Sequence, residues 1–214
     1  MDKQENITIR KLLDFCRVHK RLLISIAVVL VVGYVVVMWL DSRDTKTLVS
    51  GMTVNVPLSD QGAAILNAEY KSHLGAESDR EEVYLGQMEL QAMGGADMKD
   101  HYGLKGLLGL CEKEQLDYLL LDQTAFEILL SRGIFRDLTE VYTQSELEAM
   151  GDMPVYCRLG EDAPALPMAL DITTCPYVQE FAGGIERVYF VFVKKSPRTE
   201  AGRELLSYLL AWDQ

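Results

Sequence analysis

Two aspartates stand where chemistry is easiest to imagine. Asp122 closes the run "LDYLLLD", and Asp171 closes "ALPMALD". Each falls at the expected carboxyl end of a strand, the edge at which parallel strands present groups to a ligand. An acid placed there has two roles open to it. It contacts a ligand or partner, or it accepts backbone N–H bonds and shapes the turn that follows. Thr124 lies just beyond Asp122, while Tyr156, Tyr177 and Phe181 lie in or near segments that follow strand candidates. Aromatic rings in such places line a groove or fill a core. The candidate ligand contacts are therefore Asp122, Thr124, Tyr156, Asp171 and Tyr177.

Other chemistries lack their residues. His73 and His101 have no second histidine or cysteine at ligand spacing, so a closed metal site with four ligands is not expected. There is no G-x-S-x-G and no H-E-x-x-H, and the scattered presence of Ser, His and Asp carries no weight without geometry. The adjacent acids Glu81-Glu82 and Glu161-Asp162 read as solvated surface, not as a buried pair with split pKa values. Gly103, Gly106 and Gly109 recur every third residue, which is not a dinucleotide fingerprint; they read as glycines that let a helix pack closely. No cofactor and no enzymatic activity are expected. Cys111, Cys157 and Cys175 form no C-x-x-C pair, which leaves one disulfide plus a free thiol, or three buried thiols.

The elements that would position these residues can be read from punctuation and period. Met52–Val56 alternates and is β-branched, so it predicts a strand ended by Pro57. Ser59 or Asp60 caps a helix to about Leu74 with Gly75 at its end, and Ile65, Leu66, Tyr70 and Leu74 form the buried face. "EEVYLGQMEL" is a weaker strand, interrupted by Gly86, and "AMGGAD" is a loop. Leu104, Leu107, Leu108 and Cys111 have helical spacing. Leu116–Leu121 is apolar save for Asp117, as in a strand covered on both faces. Thr124 and Glu127 stand three apart as in a capping box, and Gly133 follows the helix. "PVYCRL", "ALPMALDI" and "RVYFVFVKK" complete the strands, and Ser196 with Pro197 opens a last helix carrying Leu205, Leu209 and Trp212. Helix–strand–helix order favours a partly parallel sheet.

Charge divides the chain. The net charge is −11, yet residues 1–40 hold six Lys or Arg against three acids, and the rest holds fifteen against twenty-nine. A domain that acidic repels nucleic acid. The basic segment precedes "LLISIAVVLVVGYVVVMWL", residues 22–40, nineteen residues without a formal charge. As a helix it measures about 28 Å, close to a bilayer core. Arg17, Lys20 and Arg21 before it and Asp41 and Asp44 after it predict a cytoplasmic amino terminus. The expected organisation is a cytoplasmic segment 1–21, an uncleaved signal anchor 22–40, a tether 41–50 and an extracellular α/β domain 51–214. The membrane would be one partner.

The stretch "GLKGLLGLCEKEQLDYLLLDQTAFEILLSRGIFRDLTEVY", with "ALDITTCPYV" and "VYFVFVKKSPRTEAGRELLSYLLAW", resembles type 2 extracellular solute-binding proteins. The similarity covers about residues 99–214 and, weakly, 50–98. It implies a mixed, partly parallel sheet flanked by helices, forming one reduced lobe. It also implies a non-enzymatic binding role beside a transporter or another membrane protein, with a small ligand or a protein as its target. Members of that family are usually longer and close two lobes over the ligand, whereas this chain has length for one.

Overall fold

The computed structural model describes residues 19–43, 46–76, 81–90 and 102–212, with the side chains of residues 22, 23 and 39–43 excepted. The chain divides into two compact units, Met1–Thr45 and Lys46–Gln214.

In the first unit a helix, α1, runs over Lys20–Arg43. Among the described residues no helix is long and apolar enough to cross a membrane. This finding corrects the expected transmembrane span over 22–40. The signal anchor, the single-pass topology and the cytoplasmic and extracellular assignments drawn from it are withdrawn with it. The tether expected over 41–50 is also replaced. The helix continues to Arg43, and strand β1, Lys46–Val54, is already paired from Lys46 onward.

The second unit is α/β. After β1 come α2 (Asp60–His73), β2 (Glu81–Met88), α3 (Tyr102–Glu112), β3 (Tyr118–Leu121) and α4 (Gln123–Leu130). A 3₁₀ turn at Leu138–Glu140 leads to α5 (Gln144–Ala149), β4 (Pro154–Cys157), β5 (Leu166–Asp171), α6 (Pro176–Phe181), β6 (Tyr189–Phe192) and α7 (Thr199–Leu210). The six strands form one mixed sheet in the order β2-β1-β3-β6-β5-β4. β1 pairs in parallel with β2 and with β3, β6 runs against both β3 and β5, and β4 runs against β5. The carboxyl ends of β1, β2, β3 and β5 therefore share one edge. The chain passes from β1 outward to β2 and returns across to β3, so the order reverses between β1 and β3. Such a reversal is the place where open α/β sheets leave a crevice.

Alternation along the strands sends side chains to two cores. Val49, Tyr118, Leu120, Leu170, Phe190 and Phe192 pack with α2, α6 and α7. Met52, Val54, Leu119, Leu121, Tyr189 and Val191 pack with α3 and α4. Both faces are covered, which explains why β3 and β6 are apolar without interruption. The α2 helix starts as its sequence predicts: Ser59 Oγ accepts the Gly62 amide at 3.1 Å, and Gly75 takes φ +68° beyond the end. Gly86 does not break β2, which pairs along its full length with β1. At Gly106 and Gly109 an added Cβ would meet open space, so close packing is not their reason. The loop expected at 92–97 lies outside the described residues, as does His101.

Candidate functional site at the carboxyl edge of the sheet

Asn55 is the pivot of this edge. It follows β1 in the left-handed region at φ +58°, a conformation for which Asn is the best suited of the residues with a side chain. Its Oδ1 accepts the Leu90 amide at 2.6 Å, and its Nδ2 donates to Asp122 Oδ1 at 3.2 Å. The backbone amide of Asn55 donates to the Met88 carbonyl at 2.9 Å, and that of Asp122 donates to the Val54 carbonyl at 3.3 Å. One side chain thus joins the ends of β2, β1 and β3 across the point of reversal. A cavity of about 220 Å³ opens beside it, lined by Asn55, Val56, Pro57 and Gln87 to Leu90.

Asp122 caps α4. Its Oδ1 accepts the Ala125 amide at 2.7 Å, which places the start of the helix at Gln123. The capping box expected from Thr124 and Glu127 does not form. Thr124 is exposed in the first turn, and Glu127 instead accepts from Gln123 Nε2 at 2.9 Å. Asp122 is half-buried, and its second carboxylate oxygen has no partner among the described residues. That oxygen stands next to the Asn55 amide, whose second N–H is also unused, while Gln87 and Glu89 line the cavity itself.

Asp171 lies on the same edge. Tyr189 of β6 pairs with Leu121 on one side and Asp171 on the other, so the two strand ends stand two strand spacings apart, about 10 Å. Asp171 Oδ1 accepts from the Thr173 amide at 3.0 Å and from its hydroxyl at 2.5 Å. Thr173 Oγ1 in turn accepts the Val188 amide at 2.9 Å. Asp171 therefore shapes the turn after β5. Arg187, close by, donates to the Tyr189 hydroxyl at 3.4 Å.

The two tyrosines go elsewhere. Tyr177 is fully buried, and its hydroxyl donates to the Gly62 carbonyl at 2.7 Å, tying α6 to α2. Burial, first of all, raises its pKa far above that of a free phenol. Tyr156 stands 55% exposed on β4, at the far edge of the sheet. Cys111, Cys157 and Cys175 are all free thiols. Cys111 is pushed up to about 12, mainly by burial and then by Glu112, which leaves it a poor nucleophile at neutral pH. Among the described residues no group of three or more His, Cys, Asp or Glu is placed to hold a metal ion.

Sequence reasoning passed over Asn55 and the cavity residues Gln87 and Glu89. A signal was available: an Asn directly after a β-branched strand and two residues before a proline is a good candidate for positive φ. Comparison with family models, with curated proteins and with solved structures finds no match to this chain.

Proposed function

We propose that the α/β unit is a non-enzymatic binding domain, a single lobe of reduced solute-binding type, that takes a small polar ligand at the carboxyl edge beside Asn55. The observation that carries this reading is the Asn55 bridge at the strand-order reversal, with a cavity next to it. The ligand class follows from the groups left free. Glu89 and Gln87 line the cavity and offer acceptor oxygens, so the ligand carries several N–H or O–H donors. A net charge of −11 weighs against anions. The cavity of about 220 Å³ is below the size that encloses a drug-sized molecule, so contact is one-sided and binding is weak.

The test is isothermal titration calorimetry of the full chain against sugars, amino acids and short peptides. The expected result is heat with one class and an affinity reduced about tenfold in Asn55→Gly, which keeps the backbone conformation and removes the amide. No heat with any class, from a chain that still melts cooperatively, would overturn the reading.

A further inference from the structure

Away from the sheet edge, α2 and α7 lie against each other and leave an open trough of about 1050 Å³ on the outer surface. Tyr70 of α2 holds the pair together, donating its hydroxyl to the Ala201 carbonyl at 3.3 Å. One wall of the trough is aromatic. The rings of His73 and Tyr208 lie 5.1 Å apart, and those of Tyr208 and Trp212 lie 5.7 Å apart. The other feature is uncompensated negative charge. Glu69 from α2 and Glu204 from α7 line the trough, and neither has a cationic partner among the described residues. Arg203 also borders it, but its charge is spent elsewhere. Its guanidinium binds Glu146 at 2.8 Å, lies 3.6 Å from Glu200, and stacks 4.7 Å over the Tyr142 ring.

Aromatic faces beside free carboxylates suit one chemistry. An ammonium or guanidinium gains from the ring quadrupole and from the carboxylate charge, while its aliphatic stem covers the apolar surface. The trough is also open and of about 1050 Å³, not a closed pocket, which fits an extended segment better than a compact molecule. We propose that the α2–α7 trough is a docking site for a basic peptide segment, with Glu69 and Glu204 receiving its Lys or Arg side chains against the Tyr208 and Trp212 rings. This site is separate from the carboxyl edge, and it stands whether or not a solute binds there.

Fluorescence anisotropy of a labelled oligolysine–leucine peptide, titrated with the full chain, tests it. The expected result is saturable binding that weakens with salt and is absent for the oligoglutamate counterpart. The Glu69→Gln/Glu204→Gln double variant should lower the affinity about tenfold, and Tyr208→Leu about fivefold. Glu161→Gln/Asp162→Asn, which removes equal charge from an exposed loop, should change it by less than about twofold. Three results would overturn the assignment. They are no binding, an equal loss in the loop variant, which would mean net charge alone attracts the peptide, and free arginine methyl ester competing as strongly as the peptide, which would mean a small-cation site.

Discussion

The two ends of the sheet are built from similar residues and used differently. At the amino end, Asp117 immediately precedes β3 and is completely buried. Its Oδ2 accepts the Ser50 amide at 2.8 Å and Arg198 Nε at 2.8 Å, and its Oδ1 accepts the Ser196 hydroxyl at 2.6 Å. Its backbone adds a bond to the Ser50 carbonyl at 2.7 Å and one from the Val193 amide at 2.9 Å. Both carboxylate oxygens are taken, so a buried charge is compensated and β1, β3, β6 and the entry to α7 are locked together. At the carboxyl end, Asp122 also bridges β1 and β3, yet it is half-buried and keeps one oxygen unused. A carboxylate with both oxygens occupied inside the protein holds structure. One that stops short of that, at a crevice, has capacity left for a ligand.

The comparison can be broken by substitution. Asp117→Ala should have the largest effect, costing about 3 kcal/mol, because Arg198 and Ser196 lose their acceptor; the cost stays at the low end because Arg198 remains partly solvated. Urea denaturation followed by circular dichroism reads this directly. Gly51→Ala comes next, at about 2 kcal/mol in the same assay. Its Cβ would collide with the Tyr118 ring, which is held by a stack on Phe190 at 5.2 Å. At the other end the numbers should be smaller. Asn55→Ala should cost about 1–2 kcal/mol more than Asn55→Gly, the difference isolating the left-handed backbone from the lost bonds. Asp122→Ala should cost about 1 kcal/mol, the value of a helix cap, while weakening ligand heat far more than stability. The smallest effect has the opposite sign. Gly106→Ala, on the helix that leads toward the amino end, should raise stability by about 0.5–1 kcal/mol, seen as a higher Tm.

How much of this could be read in advance depended on the range of the interactions. Short-range signals were legible: the Ser59 cap, the Gly75 stop, the period of Leu104, Leu107 and Cys111, and the doubly covered β3. Long-range ones were not. Asp117 looked like an exception in an apolar run because its partners Ser196 and Arg198 lie 79 and 81 residues away. Ser196 was expected to cap α7, and it does accept the Arg198 amide at 3.0 Å, but its hydroxyl proton goes to Asp117. Tyr177 looked like a groove residue because nothing local reveals that Gly62, 115 positions earlier, lies against its hydroxyl. The capping box at Thr124 lost to Asp122, which stands one residue ahead of the helix and satisfies the first turn by itself. The span over 22–40 was inferred from an uncharged run and its flanking charges, and among the described residues no helix is long and apolar enough to cross a membrane.

The most direct test of the contrast is a map of backbone amide shifts in the ¹⁵N-labelled chain as the solute panel is added. The account predicts that the amides of Asn55, Leu90 and Ala125 move together and saturate, while those of Ser50, Asp117 and Val193 stay in place. Shifts confined to the amino end, or no saturable shift at the carboxyl edge, would contradict it.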